Sequence, residues 1–144
     1  MSLDKALSAV AISTFEGLGF MLATDDEGEA EAMPFEGLVA RIDFQGAFRG
    51  CLVLRLSADV LAVLAGNMLA IECDPPRDLQ LDALGEVANV LIGNFLPVLG
   101  AGIQMGTPRV EDKSAPPLGG IPTAHTRLSV ESGWAEVLVY MEAS

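Results

Sequence analysis

The sequence is poor in the residues that build most metal centres and nucleophilic active sites. Among 144 residues there is one histidine, His125, and there are two cysteines, Cys51 and Cys73, which do not form a CxxC pair. A structural zinc site needs about four nitrogen or sulfur ligands, so these three residues argue against a metal site in this chain. They also argue against a disulfide framework, and a reduced protein of the cytoplasm is the simplest expectation.

Basic residues are scarce as well. Eight lysines and arginines stand against 20 acidic residues, for a formal net charge of -12. Nucleic-acid binding requires cationic side chains that neutralise phosphates, and an anionic membrane surface attracts the same groups. We therefore expect neither nucleic acid nor membrane as a partner. The two most apolar stretches carry charges, including Glu16 in the first and Glu86 in the second, which disfavours a membrane span.

Apolar side chains with regular spacing are abundant. Hydrophobic residues make up 51% of the chain, which is enough for a single domain over residues 1–144 with its own core. Helical spacing predicts three helices, over residues 3–22, over 58–70, and from 79 or 81 to at least 94. Alternation predicts strands over 38–44, 48–56 and 107–111, and a closing strand pair. The acidic segment 24–34 and the proline- and glycine-rich segment 113–122 are expected to be loops.

Two hairpins are expected to build an antiparallel sheet. A three-residue loop in the first hairpin pairs Phe44 with Phe48, and a two-residue turn at 132–133 in the second pairs Val130 with Ala135. Both registers place apolar side chains on a common face. The predicted fold class is therefore α+β, with helices packed on an antiparallel sheet in the order helix, strand, strand, helix, helix, strand, strand, strand.

The third predicted helix carries two stripes with the same spacing of four, three and four residues. The stripe expected to be buried consists of Leu84, Ala88, Leu91 and Phe95, and the other consists of Asp82, Glu86, Asn89 and Gly93. No lysine or arginine accompanies the polar stripe, and Gly85 and Gly93 flank its side chains. A glycine inside a helix costs about 1 kcal/mol relative to alanine, and it is most useful where another backbone approaches closely. These features predict a partner-docking face, with an ordinary solvated face as the alternative. No metal site is expected, because two carboxylates without histidine bind a hard cation weakly.

Three short motifs follow one another along this part of the chain: Asp82-x3-Glu86-x2-Asn89, Ile92-Gly93-Asn94 and Gly106-Thr107-Pro108-Arg109-Val110. Together they resemble the signature of the CheC/CheX/FliY phosphatases of bacterial chemotaxis, and the single copy is most similar to the CheX branch. The predicted order of helices and strands fits that family across nearly the whole chain. Asp4, Ser8 and Ala11 repeat the spacing of the first motif without its Glu and Asn, either as the remnant of a second copy or by chance.

The resemblance implies a protein that removes the phosphoryl group from an aspartate of a CheY-type response regulator. Asn89 would then orient the attacking water, and Glu86 would pair with the active-site lysine of the receiver. Asp82, Gly85 and Gly93 would support docking. A carboxamide can hold a water by donating and accepting hydrogen bonds but is a poor base, so positioning is the expected source of catalysis. The Mg²⁺ of the reaction would belong to the phosphorylated receiver, and this chain would need no cofactor of its own.

Two other functions stay open from the sequence: a non-catalytic module that binds receivers or resembles a flagellar-switch component, and a small-ligand domain. The CheX branch also implies a homodimer formed through the sheet, to which Trp134, Leu138 and Tyr140 would contribute apolar surface. Two features depart from the family pattern. The gap between the first motif and the proline of the third is short, and Pro97 falls where the helix would normally continue.

Overall fold

The computed structural model describes residues 2–19, 21–25, 37–70, 75–111, 122–131 and 133–143. In these parts of the chain, three helices pack on a seven-stranded antiparallel sheet. The helices are α1 (Leu3–Gly19), α2 (Ala58–Leu69) and α3 (Arg77–Leu99). The strands are β1 (Ala23–Asp25), β2 (Gly37–Gln45), β3 (Phe48–Ser57), β4 (Gln104–Met105), β5 (Arg109–Glu111), β6 (Ala124–Val130) and β7 (Gly133–Ala143). This arrangement confirms the predicted α+β class, with β1 and β4 as additional short strands.

The strands follow the order β1-β6-β7-β3-β2-β4, and β5 also pairs with β2. Strand β2 therefore has two partners along one edge, β4 near its end and β5 near its middle. Residues 106–108 span the gap between these partners, and the Gly106 N–H donates a hydrogen bond of 2.7 Å to the Asp43 carbonyl. The third sequence motif is thus attached to the edge of the sheet.

The first hairpin forms, but its predicted register is wrong by two residues. Phe44 pairs with Gly50 rather than with Phe48. The loop is centred one residue later than predicted, and Gly46 within it has a φ of 144°, a conformation that favours glycine. Since the side-chain period of a strand is two, a shift of two residues leaves the predicted core face unchanged.

The second hairpin differs from its prediction in the same way. Val130 pairs with Gly133 rather than with Ala135, so Gly133 belongs to β7 and not to the turn. Glu131 takes the left-handed conformation in the turn, with a φ of 50°. Gly133 is required for packing instead, because a Cβ there would overlap the side chain of Ser57.

The helix bounds also differ from those predicted. Helix α1 ends at Gly19, three residues early, and Ala23–Asp25 pairs with β6 as strand β1. This strand includes the first two residues of the predicted loop 24–34; most of that loop and of the loop 113–122 lies outside the described residues. Helix α3 begins earlier than predicted and continues through Pro97 to Leu99.

The main core lies between the helices and one face of the sheet. The predicted inward stripe of α3 is buried, and the exposed fraction is 0% for Leu84 and Leu91 and 1% for Phe95. By length and composition α3 could cross a membrane, but 50% of its apolar window is buried inside the protein, as expected of a core helix. The contacts with the sheet therefore fix which side of α3 faces outward.

A smaller apolar cluster occupies the other face of the sheet. Val39, Cys51, Val53 and Leu138 are buried there and pack with the half-buried Tyr140. Ion pairs lie on the same face, among them Arg41–Asp43 and Arg55–Glu136. We call this surface the outer sheet face.

Candidate functional site

Helix α3 presents the polar stripe at the protein surface. Asp82, Glu86 and Gly93 are exposed, and Asn89 is half-buried. Because the opposite side of the helix is buried in the core, the backbone that carries these residues is held in place by packing. The structure therefore brings the four stripe residues together on one outward surface, which we call the α3 face.

The three polar side chains of the α3 face are free to bind another molecule. Within the described residues, Asp82, Glu86 and Asn89 form no hydrogen bond or ion pair with each other or with a neighbouring element. Polar groups that have a structural role are normally hydrogen-bonded within the protein. Asp82 and Glu86 are exposed and Asn89 is half-buried, so these side chains have no such role in the described part of the chain and remain accessible to a partner.

The charge of the α3 face is negative. From Asp78 to Leu99 the helix contains acidic residues and no lysine or arginine. The formal charge of the whole chain, -12, has the same sign. Within the described residues neither Asp82 nor Glu86 forms an ion pair, and two neighbouring carboxylates attract a cationic group and repel an acidic one. The face is therefore suited to a lysine or arginine of a partner.

Gly85 contacts the third sequence motif of the same chain. It is buried, and a Cβ built on it would lie 3.8 Å from Cγ of Pro108 and 3.9 Å from Cγ2 of Val110. The first and third motifs are thus adjacent in space, although about twenty residues separate them in sequence. Gly85 therefore faces the chain's own sheet edge, whereas Gly93 faces solvent.

The third motif divides its side chains between two faces. Pro108 and Val110 point toward α3, whereas Arg109 lies on the outer sheet face and donates a hydrogen bond of 2.7 Å to the carboxylate of Asp43. Both partners of this ion pair are largely exposed, so its contribution to stability is small, about 0–1 kcal/mol. Sequence reasoning missed this division, although the alternation of the short strand could have indicated it.

The C-terminal end of the α3 face has an unusual backbone. Gly93 is exposed, and a Cβ added to it would meet nothing within 4 Å. Pro97 follows four residues later inside the helix and is exposed as well. Since proline has no N–H, the regular helical hydrogen bond to the Gly93 carbonyl is missing.

Helix α1 does not present a second copy of this face. Ser8 and Ala11, which repeat the spacing of Glu86 and Asn89, are 5% and 0% exposed. Asp4 is exposed, and its carboxylate accepts a hydrogen bond of 2.9 Å from the backbone N–H of His125. The repeated spacing in α1 therefore belongs to core packing and to contact with β6.

The lone histidine has a structural partner on the outer sheet face. His125 Nε2 lies 2.8 Å from a carboxylate oxygen of Glu136, which also pairs with Arg55 at 3.0 Å. The hydrogen bond to Glu136 raises the pKa of His125, and the same bond lowers the pKa of Glu136. This pair lies on strands β6 and β7, apart from the α3 face.

The remaining candidate ligands and nucleophiles do not form a centre in the described residues. Burial raises the pKa of the Cys51 thiol, which keeps the weakly nucleophilic thiol form. Cys73 lies outside the described residues. Across the described ranges, no three histidine, cysteine, aspartate or glutamate side chains are grouped so that they could hold a metal ion.

Comparisons with known proteins agree with this arrangement. The family model described as "Chemotaxis phosphatase CheX" matches residues 38–118, which include α3 and all three motifs. No curated protein matches the sequence. The fold is similar to the crystal structure of the chemotaxis protein CheX from Vibrio vulnificus, with 17% identity, a TM-score of 0.81, and coverage of 99% of this chain and 97% of that one.

Two further structures extend the likeness. CheX in the CheX–CheY–BeF3–Mg²⁺ complex from Borrelia burgdorferi is 14% identical, with a TM-score of 0.74 and coverage of 96% of each chain. FliY from Thermotoga maritima is 18% identical, with a TM-score of 0.61 and coverage of 94% of this chain and 89% of that one. These likenesses show a common fold, and the family model covers more than half of the sequence. The chain therefore belongs to the CheX family of chemotaxis phosphatases.

Proposed function

We propose that this protein hydrolyses the aspartyl phosphate of a CheY-type receiver domain. In this proposal Asn89 orients the attacking water and Glu86 docks to the active-site lysine of the receiver. The observation that carries the proposal is the α3 face, whose polar side chains have no partner among the described residues of a CheX-family chain. The active site is then completed only when the receiver is bound.

Asn89 is suited to hold a water molecule in line with the bond that breaks. Its carboxamide offers both donors and an acceptor, and it is too weak a base to remove a proton from water. The adjacent Ala88 and the following Leu91 are both 0% exposed, so the backbone at Asn89 is tightly packed. Phosphoryl transfer depends mainly on alignment and on stabilisation of charge, and a rigid helix supplies alignment.

Glu86 lies three residues before Asn89, so their Cβ atoms are about 5–6 Å apart on one helix surface. Both side chains can therefore enter the same small site on a receiver. A carboxylate binds a lysine ammonium group through a charge-assisted hydrogen bond, which anchors the helix while the carboxamide meets the water. We propose that Asp82, one turn earlier, adds attraction for the same cationic surface, and that Gly93 allows close approach. Gly85 would support docking indirectly by allowing close packing between α3 and Pro108.

We propose that the Mg²⁺ of the reaction is bound by the receiver and that this chain supplies no cofactor. The Borrelia burgdorferi complex contains CheY, BeF3 and Mg²⁺ together with CheX. Beryllium trifluoride mimics a phosphoryl group, so that complex resembles the substrate state proposed for this protein. The metal would stabilise charge on the phosphoryl oxygens, and Asn89 would act on the water.

A homodimer through the outer sheet face is a further part of the proposal. Trp134 and Tyr140 are half-buried there, and Leu138 is packed into the apolar cluster beside them. A second copy of the chain would cover these side chains. Light scattering at micromolar concentration is expected to give twice the mass of the chain, and a monomeric mass would contradict this part of the proposal. We also place the protein in the cytoplasm, where receiver domains are phosphorylated.

The experiment that tests the proposal measures phosphate release from a panel of phosphorylated receivers of the same organism. Wild-type protein is expected to accelerate release from its cognate receiver, and Asn89→Ala and Glu86→Ala are expected to lose that acceleration. Binding is measured in parallel with a receiver that carries beryllium trifluoride and Mg²⁺. A receiver that binds without any acceleration of phosphate release would refute the phosphatase activity and leave a non-catalytic module that binds receivers or resembles a flagellar-switch component.

A further inference from the structure

The backbone at Gly93 differs from the rest of the α3 face because its carbonyl has lost its regular helical partner. In a continuous helix the N–H of residue 97 bonds to the carbonyl of residue 93, but Pro97 has no N–H. The helix nevertheless continues to Leu99, and the Gly100 N–H bonds to the Leu96 carbonyl at 3.2 Å. The interruption is therefore confined to one hydrogen bond, and it occurs next to an exposed residue.

The packing of the chain does not require glycine at position 93. A Cβ there would point into open space, whereas alanine would make the helix more stable by about 1 kcal/mol. Gly85 differs in this respect because Pro108 and Val110 cover it. Gly93 and Pro97 both weaken the helix, and together they leave the carbonyl of an exposed residue without its helical donor.

The carbonyl lies on the same side of α3 as the two functional side chains. Gly93 follows Asn89 by four residues and Glu86 by seven, so the three residues occupy successive turns of one surface. Asp82 and Glu86 are hydrogen-bond acceptors when ionised, and the Gly93 carbonyl is another acceptor. A partner that fits this surface is therefore expected to present hydrogen-bond donors, such as a lysine or arginine side chain or backbone N–H groups.

We infer that the Gly93 carbonyl, which Pro97 leaves without its helical donor, accepts a hydrogen bond from an N–H group of the docked receiver domain. This inference rests on the proposed function and adds a recognition contact to it. When the receiver docks, the absence of a side chain at Gly93 lets the receiver backbone come close. The Gly93 carbonyl then accepts a hydrogen bond that fixes the position of that backbone. Pro97 acts through Gly93 and does not itself touch the reacting atoms.

The test compares two substitutions with two matched controls in the full chain. Pro97→Ala restores an N–H that bonds to the Gly93 carbonyl, and Val98→Ala changes the next residue, which is 47% exposed, without altering that bond. Gly93→Ala adds a methyl group on the α3 face, and Gly17→Ala adds one in equally open space on α1. The dissociation constant is measured for the receiver loaded with beryllium trifluoride and Mg²⁺. KM and kcat are measured with the phosphorylated receiver, and thermal unfolding is followed for every variant.

We expect Pro97→Ala to weaken binding by about threefold to tenfold, the effect of one neutral hydrogen bond, while its melting temperature rises. The effect should fall on the dissociation constant and KM rather than on kcat. Gly93→Ala should also weaken binding, and the two control variants should bind as wild type does. Unchanged or tighter binding by Pro97→Ala, or an equal loss in Val98→Ala, would overturn the inference while leaving the phosphatase intact. Failure of the wild-type protein to bind any receiver would refute the proposed function and this inference together.

Discussion

Replacement of Asn89 by alanine separates a catalytic role from a structural one. The side chain is half-buried and forms no hydrogen bond within the described residues, so its removal breaks no internal contact of that kind. Alanine is a better helix former than asparagine by about 0.5 kcal/mol. We therefore expect Asn89→Ala to fold with unchanged or slightly greater stability. A structural role for Asn89 would instead give a measurable loss of stability.

The expected loss of activity is much larger than any effect on the fold. Misplacing a reacting group can cost about 100-fold in rate, which corresponds to about 2.7 kcal/mol of the activation free energy. Asn89→Ala removes the group proposed to position water while Glu86 remains available for docking. The rate of hydrolysis should therefore fall by about that factor, and the dissociation constant for the receiver should change by less than about threefold.

Single-turnover phosphate release from the phosphorylated receiver measures this rate directly, at protein concentrations above the dissociation constant. Asn94→Ala is the matched control, because Asn94 is an exposed asparagine of the same helix that lies outside the polar stripe. It receives the same substitution and should hydrolyse as wild type does. Wild-type rates for Asn89→Ala would refute the water-positioning role. An equal loss in Asn94→Ala would show that the helix surface is generally sensitive.

Three further substitutions test docking, the core and the histidine pair. Glu86→Gln should weaken receiver binding by about tenfold or more at low salt, and by less at 1 M salt, where charges are screened. A loss of affinity that does not depend on salt in binding titrations would contradict an ion pair between Glu86 and the receiver lysine. Phe95→Ala should lower the free energy of unfolding by about 3–5 kcal/mol in urea titrations, because Phe95 is 1% exposed; a loss below 1 kcal/mol would contradict its place in the core. The hydrogen bond to Glu136 raises the pKa of His125, so the charged histidine stabilises the folded protein. This stabilisation is fully present below the pKa of about 6.5 that histidine has in the unfolded chain, and it is lost as the pH rises through the higher pKa of the folded protein. The His125 side chain is 36% exposed and solvent screens the pair, so His125→Gln should lower the free energy of unfolding by about 0.5 kcal/mol at pH 6 and by less at pH 9. Equal losses in urea titrations at the two pH values would contradict a role for the charged histidine.

Local spacing was sufficient to predict which side of each element faces the core. The stripe Leu84, Leu91 and Phe95 is buried as predicted, because residues three or four apart in a helix lie on the same side of it. The same holds for the strands, whose side chains alternate between two faces: Leu52 and Leu54 lie in the main core, and Cys51 lies on the outer sheet face. The α3 face and the family resemblance both followed from one stretch of sequence, and the family is confirmed.

Strand registers and helix ends depended on contacts that spacing does not encode. A shift of two residues keeps every side chain on its face, so the hydrophobic pattern alone could not distinguish the predicted hairpins from the observed ones. Gly133 resembles a turn residue in sequence, but it is a strand residue that leaves room for Ser57. Helix α3 continues past Pro97 because burial of Phe95 and Leu96 offsets the lost hydrogen bond.

The sequence by itself determined the fold class, the two faces of α3 and the acidic character of the α3 face, because these properties depend on residues close together in the chain. Tertiary structure decided that Gly85 lies under Pro108, that His125 pairs with Glu136, and that the repeated spacing in α1 is buried. The first and third of these contacts join segments that are distant in the chain, and only the packing of the helices on the sheet brings those segments together. The His125–Glu136 pair lies across the β6–β7 hairpin, and it depends on a strand register that the hydrophobic pattern alone does not determine.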